Sequence, residues 1–339
     1  MTAVKCVVWD LDRTLFEGVL LERAEDVVPT VAAGMLATLT TLHERGILNS
    51  IASRNPPDLA ARAVAAIDWP GPFVAPQYGW ERKSRSIEAI ASELNIAVDA
   101  IAFVDDDAFE RAEVSAALPR VLALSPEDIH EAMSWPEFTP PAITAEGRTR
   151  SAKYVAARER ATAAAGFTGS HEDFLRSVHT TVELWHADPS DVPRLHEMSV
   201  RTTQFNSRGV ILPEDELHAL IRSAGHLVVC LGLSDSFVDD GLVGAAVVRV
   251  ADDAWTVEHV MMSCRAMGRG VSDTLLAWLV SAAAGVVRIP LRPTERNVPL
   301  RVALVAAGFR ATPGGESPVF SRGVEPALPQ PESVAVHWR

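Results

Sequence analysis

Two aspartates one residue apart, Asp10 and Asp12, end an apolar run, Val7-Val8-Trp9-Asp10-Leu11-Asp12-Arg13-Thr14-Leu15. On a strand that spacing puts both carboxylates on one face, and the following loop lets them converge on a metal or a phosphate. One carboxylate can then act as nucleophile or ligand while the other moves a proton. Taken alone, Asp-x-Asp after a strand reads equally as an acidic capping turn. Three further polar clusters occur downstream: Ser53, then Lys83, then Asp105-Asp106-Asp107. A carboxylate cluster suits a hard, oxygen-ligated cation such as Mg²⁺. Such a cation and Lys83 together would screen the repulsion between an anionic nucleophile and an anionic substrate. Asp107 and Glu110 read as solvated charges.

A second set of chemical residues lies far downstream, in Cys264-Arg265-Ala266-Met267-Gly268-Arg269-Gly270-Val271. Backbone amides at a helix start can hold an anion there, through Arg265, Gly268 and Gly270. The same field would favour thiolate at Cys264, although burial as a plain core thiol is the commoner fate of cysteine. His259 and Glu258 are the nearby candidates for a base. The odd spacing of His259 puts it on the strand face opposite Cys264 unless the strand bulges; Glu258 has the matching parity. Cys6 and Cys230 sit in apolar runs and read as core.

These residues require elements to place them. Apolar runs at 47–52 and 100–104 read as buried strands. Helical spacing covers 30–44, 58–67 and 83–94, with a short strand at 72–75. Strands alternating with helices predict right-handed crossovers and a parallel sheet with its site at the carboxyl ends of the strands. Every cluster from Asp10 to Asp106 falls at such an end. Only 40 residues separate Asp12 from Ser53 and 29 separate Ser53 from Lys83. Neither gap holds a large cap domain, so the site is expected to be open.

A proline-rich connection, 134–143, reads as the domain boundary. Beyond it, helices are expected at 149–165, 172–177, 193–201 and 213–223, and strands at 180–186, 226–232, 241–250, 254–263 and 286–291. A helix follows the glycine loop. The expected domains are 1–140, 148–325 and an extended tail, 326–339.

At 339 residues with 48% hydrophobic and 22% charged residues, the chain has material for two cores. The net charge of −13 excludes an extended nucleic-acid surface, which needs clustered Lys and Arg. No apolar run reaches the roughly 18 residues of a membrane span and no signal segment is evident, so a cytoplasmic location is expected. Three scattered cysteines make no disulfide framework.

The four clusters Asp10/Asp12, Ser53, Lys83 and Asp105/Asp106, in that order, resemble the motifs of the haloacid dehalogenase (HAD) superfamily. That resemblance implies a Rossmann-like parallel-sheet domain. Asp10 would attack phosphorus or orient an acyl phosphate, and Asp12 would serve as general acid and base. Ser53 and Lys83 would hold the phosphoryl oxygens. Asp10, the Asp12 carbonyl, Asp105 and Asp106 would form the Mg²⁺ site. The second half resembles the mixed α/β fold of the GNAT N-acetyltransferases, with Arg265-x-x-Gly268-x-Gly270 matching their anion loop. The fold class implied is α/β throughout.

Several motifs together resemble the FkbH-like family: Trp9-Asp10-Leu11-Asp12-x-Thr14-Leu15, Ala52-Ser53-Arg54-Asn55, Gln77-x-Gly79-Trp80-x-x-Lys83-Ser84, Phe103-Val104-Asp105-Asp106, Thr203-Gln204-Phe205-Asn206 and Ser263-Cys264-Arg265. The resemblance implies transfer of a glyceryl unit from 1,3-bisphosphoglycerate to the phosphopantetheine thiol of an acyl carrier protein, for polyketide extender units such as methoxymalonyl or the three-carbon piece of tetronates. Cys264 would carry the glyceryl group as a thioester, and the anion loop would hold the carrier's phosphopantetheine. Thr203, Gln204 and Asn206 would line the glyceryl or pantetheine site, or else cap a helix. Two other readings stay open: a small-molecule phosphatase fused to a CoA-dependent N-acetyltransferase, and a carrier-binding scaffold with a vestigial phosphatase fold.

Overall fold

The computed structural model describes residues 3–23, 28–140, 143–313 and 317–339. The chain divides into two compact units, Met1–Val155 and Ala156–Arg339. The fold is α/β, with a parallel sheet in the first unit and a mixed sheet in the second.

The first sheet contains β1 (Cys6–Trp9), β2 (Leu48–Ser53), β3 (Gln77–Tyr78), β4 (Ile101–Val104) and β5 (Leu122–Leu124), in the order β3-β2-β1-β4-β5. Every pairing is parallel. All four β1 residues are buried, because helices cover both faces and no position is left for a polar alternate. Val7 and Trp9 join a core that includes Leu39 and Leu42 of the helix Met35–Glu44 and Ala60 of Pro57–Ala65. Cys6 and Val8 face Ile87 and Ile90 of Lys83–Glu93 and Val114 of Ala108–Ala117. The strand order reverses at β1, with β2 on one side and β4 on the other. The crevice beyond the carboxyl ends of β1 and β4 is therefore where such a sheet binds ligands.

The strand expected at 72–75 is not there. Pro72 and Pro76 lack amides and Ala75 takes a positive φ of 49°, so Phe73 makes only an isolated bridge to Asn49 and the strand forms at Gln77–Tyr78. The three-residue β5 was not expected from sequence. Between Asp12 and Ser53 the described residues form a single turn, Leu20–Glu22, and the helix Met35–Glu44; no lid domain is present among them.

The division between units falls inside the helix Arg150–Ala165 and not in the proline-rich stretch. The start of that helix is fastened to the first unit. Arg150 donates to the Gly46 carbonyl at 2.9 Å, Ser151 Oγ lies 3.2 Å from His43 Nδ1, and Tyr154 and Val155 pack on the core.

The second sheet contains β6 (Thr181–His186), β7 (Phe205–Asn206), β8 (His226–Ser234), β9 (Asp239–Val250), β10 (Ala254–Met262), β11 (Val286–Pro290), β12 (Arg310–Thr312), β13 (Val319–Arg322) and β14 (Ala335–Trp338). Its order is β12-β13-β11-β10-β9-β8-β6-β14, with β7 also paired to β10. One face packs on Leu275 and Leu279 of the helix Val271–Ala282 and Leu300 of Val298–Ala306. The other packs on Leu195 and Met198 of Val192–Arg201 and Leu217 of Glu214–Arg222.

β10 runs parallel to β11 only through Ala254–Thr256; the far half of that edge is taken by β7, antiparallel at Met261 and Met262. The segment after β7 ties the two diverging strands together. Ser207 N donates to the Val260 carbonyl at 3.0 Å, Ser207 Oγ accepts from Val260 N at 3.0 Å, and Arg292 N donates to the Ser207 carbonyl at 2.8 Å. Asn297 Nδ2 completes the stitch, donating to the carbonyls of Asn206 (3.2 Å) and Arg292 (2.9 Å).

The segment 326–339, expected as an extended tail, is not free: Ala335–Trp338 is a strand of the sheet, paired in parallel with β6. Among the described residues no helix is long and apolar enough to cross a membrane.

Candidate active site

Asp10 leaves β1 while still in ladder register, its N–H donating to the Val104 carbonyl at 2.9 Å. Lys83, the first residue of the helix Lys83–Glu93, reaches back under it. Its Nζ contacts Asp10 Oδ1 closely, donates to the Ala52 carbonyl at 2.5 Å, and lies 3.3 Å from Asp105 Oδ2. All three side chains are buried. Burial pushes the Asp10 carboxyl up to about 7 even though Lys83 pulls the other way, and Asp105 adds to the rise. Asp105 is also raised, first by burial.

Asp12 is oriented from both sides, its Oδ1 accepting from Leu20 N (2.8 Å) and its Oδ2 from Asn55 Nδ2 (2.9 Å). Asn55 also donates to Ser53 Oγ at 3.0 Å, so Ser53 is tied to Asp12 through one side chain. Thr14 Oγ1 accepts from Asp106 N at 2.9 Å, and Arg111 donates to the carbonyls of Asp105 (2.7 Å) and Asp106 (2.8 Å). The loops after β1 and β4 are thereby held at fixed separation.

A cavity of about 480 Å³ opens over these residues, lined by Asp10, Asp12, Lys83, Asp105 and Asp106, and also by Arg13, Arg54 and Glu110. Arg13 sits in the left-handed region (φ 52°), a strained position for a side chain of its size. Glu110, expected to be solvated, is buried and paired with Arg54 at 2.6 Å. Asp107 is exposed and caps the helix Ala108–Ala117, accepting from Phe109 N at 2.8 Å. Sequence reading gave no role to Arg13, Arg54 or Asn55; for the last two, the available signal was their place directly after Ser53 at a strand end.

Six carboxylates line this cavity against three basic side chains. Carboxylate oxygens of Asp10, Asp105 and Asp106 lie within 4.8 Å of one another. Asp105 Oδ2 is buried without a hydrogen bond and is offset only by the Lys83 charge. A net-negative cavity repels a phosphate, whereas a hard divalent cation on those three oxygens satisfies the orphaned Oδ2 and reverses the local sign. The residues therefore fit Mg²⁺. The side chain of Asp12 stands outside the three-carboxylate group.

Because a metal-ligating Asp10 must be ionised, Mg²⁺ binding is expected to release a proton and to tighten as pH rises through about 7. Calorimetric titrations of Mg²⁺ at pH 6 and pH 8, in buffers of different ionisation enthalpy, check this. Equal affinity at both values with no proton release would reject it.

In the second unit Cys264 is half-buried and opens a short turn, Cys264–Ala266. Gly268 and Gly270 both take positive φ (73° and 79°) and lead into the helix Val271–Ala282. A Cβ on Gly270 would lie 2.9 Å from Val334 Cγ1, so only glycine admits that close approach. The Gly268 carbonyl lies 2.8 Å from His171 Nε2.

Arg265 differs from the sequence expectation: its guanidinium turns inward, 3.5 Å from Asp240 Oδ1. It joins a buried ion network in which Arg269 donates to Asp240 (2.5 Å) and Asp235 (2.7 Å) and Arg160 donates to Asp235 (2.5 Å). Burial alone would raise the Asp235 carboxyl, but Arg269 and Arg160 outweigh it and hold the group below the usual carboxylate range.

β10 does bulge, between Val257 and His259. Val257, Val260 and Met262 pack in one core and Met261 in the other, so Thr256, Glu258 and His259 share the face opposite Val260. The bulge lies before His259 and does not bring it round to the face that leads to Cys264. Burial, then the Arg208 charge, lowers His259 to about 4, leaving it neutral near pH 7. Glu258 is engaged by Arg249 (3.0 Å) and by His226 (3.4 Å). Phe205 and Asn206 form β7. The Asn206 side chain is used locally, donating to the Thr202 carbonyl (3.2 Å) and accepting from Arg208 N (3.1 Å) and Gly209 N (2.8 Å). Its amide thus caps the turn that follows β7. Thr203 and Gln204 are half-buried beside it.

No protein-family model matches this sequence. No curated protein matches it either. Among solved structures the chain is similar to the N-terminal part of a Bacteroides fragilis protein containing a phosphatase domain complexed with Mg, at 27% identity over 39% of this chain and 39% of that one, TM-score 0.34. It is also similar to the ribosomal-protein-S18-alanine N-acetyltransferase of Escherichia coli, at 12% identity over 44% of this chain and 96% of that one, TM-score 0.33. A third similarity is to the cobalt-bound deoxy-D-mannose-octulosonate 8-phosphate phosphatase of Haemophilus influenzae, at 17% identity over 36% of this chain and 68% of that one, TM-score 0.28.

Proposed function

We propose that the first unit is a Mg²⁺-dependent phosphatase of the HAD type and that the whole chain loads a glyceryl unit from 1,3-bisphosphoglycerate onto the phosphopantetheine thiol of an acyl carrier protein. The observation that carries the phosphatase reading is the buried Lys83 between Asp10 and Asp105, beside Asp106, on a cavity too negative to take a phosphate unaided. In this reading Asp10 meets the phosphorus or orients the acyl phosphate, with Lys83 fixing its carboxylate. Asp12, held by Asn55 and Leu20 N, gives and takes the proton. Ser53 and Lys83 neutralise and orient phosphoryl oxygens. Asp10, Asp105 and Asp106 would hold Mg²⁺, which when bound would supply charge neutralisation. The lack of a lid among the described residues suits a bulky or protein-borne partner.

The acyl half of the reading rests on the FkbH-like motifs. The Cys264 thiolate attacks the acyl carbonyl and expels the C1 phosphate as inorganic phosphate, leaving a thioester. The remaining 3-phosphate ester is hydrolysed at the Asp10 site, before or after this transfer, with water supplying the oxygen that leaves in the second inorganic phosphate. The carrier's pantetheine thiol then displaces Cys264, which takes back its proton through solvent.

Incubation with 1,3-bisphosphoglycerate, Mg²⁺ and a phosphopantetheinylated carrier, followed by intact mass measurement, is expected to add a glyceryl mass to the carrier. Cys264→Ala should remove any glyceryl mass from the enzyme itself. An unmodified carrier would sink the transfer reading. Release of phosphate without a carrier, together with saturable acetyl-CoA binding, would favour a phosphatase joined to a CoA-dependent acetyltransferase, the reading that the glycine loop at the helix start also suits.

A further inference from the structure

A second cavity, of about 730 Å³, lies wholly in the second unit, over the face of β10 that carries Thr256 and Glu258. Arg208, Arg249 and Arg292 stand around it, with Leu291 contributing apolar wall. Three arginines on one cavity are out of character for a chain of net charge −13. Local backbone pairing explains how they meet. Ser207, buried, binds Val260 on one side and Arg292 N on the other, which sets residues 208 and 292 beside each other across the gap between the diverging strands. The Asn206 side chain then fixes the backbone at Arg208 and Gly209. Arg249 enters from β9, where it pairs with Thr256 directly beside the bulge of β10.

The charges do not cancel. Glu258 is the single acidic side chain among the described lining residues, and Arg249 and His226 already bind it. Neither Arg208 nor Arg292 has a side-chain ion pair or hydrogen bond among the described residues. His259, on the same face, is neutral at physiological pH under the influence of burial and Arg208, so it adds no charge and can accept a hydrogen bond. Two uncommitted guanidiniums, each a planar fork of donors, match the oxygens of phosphate or carboxylate. The volume exceeds what a bare oxyanion needs and falls in the range of small-molecule sites, 300–1,000 Å³ by order of magnitude, roughly.

We infer that this cavity is an anion-recognition site for a small phosphorylated molecule, with Arg208 and Arg292 gripping the phosphate or carboxylate and Arg249 and Thr256 completing the polar wall. This goes beyond the phosphatase and acyl-transfer reading, which assigns it nothing. The shared chemistry, an organic phosphate, has two sources: a free phosphorylated metabolite, or the phosphates of a pantetheine cofactor.

The test is isothermal titration of the full chain, in EDTA, with 3-phosphoglycerate, with coenzyme A and with inorganic phosphate. Saturable binding of 3-phosphoglycerate or coenzyme A is expected, weakened at least about tenfold in Arg208→Ala and, independently, in Arg292→Ala, with partial recovery in Arg208→Lys. Binding of 3-phosphoglycerate alone identifies a free metabolite; binding of coenzyme A alone identifies the cofactor. Both side chains are exposed, and unchanged melting temperatures will certify the fold. The proposal is overturned if no organic phosphate binds, or if the arginine variants bind like the parent while Lys83→Met loses binding, which would place the ligand in the first unit. Failure of phosphate release by the Asp10 site would leave this result untouched.

Discussion

Asp10→Asn is expected to lower Mg²⁺-dependent phosphate release by about a thousandfold or more while leaving the fold intact. The amide keeps the shape of the carboxyl but loses the charge and basicity that the proposed cation ligation and attack on phosphorus require. The remaining Asp105 still faces Lys83 at 3.3 Å, so the lysine is not stranded and the parallel sheet keeps its buried β1. Steady-state release from an acyl phosphate, measured with saturating Mg²⁺, reads the effect. A residual rate within tenfold of the parent would mean that another group reacts. Chelation with EDTA is expected to give a comparable loss in the unmodified protein, because the cavity then returns to its unfavourable negative charge.

The largest structural effect is expected at Asp240→Ala. Asp240 is 1% exposed and is the shared partner of Arg265 and Arg269, with Arg160 at 4.0 Å. Removing it takes one of two carboxylates from Arg269 and Arg160, which then share Asp235, and takes away the carboxylate beside Arg265. Breaking a buried pair by deleting one partner costs about 3–5 kcal/mol, because the other charge stays desolvated. For a unit of this size that corresponds to a fall in melting temperature of roughly 6–20 °C. The exposed pair Arg85–Glu88 (2.9 Å) is the control: Arg85→Ala should leave the melting temperature within about 2 °C. Should Asp240→Ala melt as late as Arg85→Ala, the network contributes nothing to stability.

The parallel half of the fold was legible because its signals are local. Buried strands in a two-sided sheet read as continuous apolar runs, and the residues that follow them, Asp10, Ser53 and Asp105, are set at the carboxyl ends by that topology alone. Lys83 was legible as the start of a helix. Its burial between two carboxylates was not, because nothing near Lys83 in sequence announces that charge. Glu110 was misread for the same reason: its partner, Arg54, belongs to a different strand end.

The second half shows where one-dimensional reading fails. An arginine before a glycine loop looks alike whether it faces a phosphate or turns inward to an aspartate, and Asp240 lies on β9, a strand away from the loop. Asn206 reads as a site residue by type, yet its amide is committed to a turn. Ser207 and Asn297 carry no motif, although together they hold the diverging ends of β10 and β11. The bulge in β10 was weighed as the device that would reorient His259; it occurs on the wrong side of that residue to do so.

The pairing of β14 with β6 brings together residues about 150 positions apart, Ala335 with Thr181. Closing so long a loop is slow, and the pairing cannot form until nearly all of the second unit has emerged and collapsed. Until then the free edge of β6 presents unpaired amides and carbonyls, the surface on which chains join one another edge to edge. Refolding yield is therefore expected to fall with protein concentration, with losses arising from an intermediate whose sheet is otherwise complete but still lacks its outermost strand.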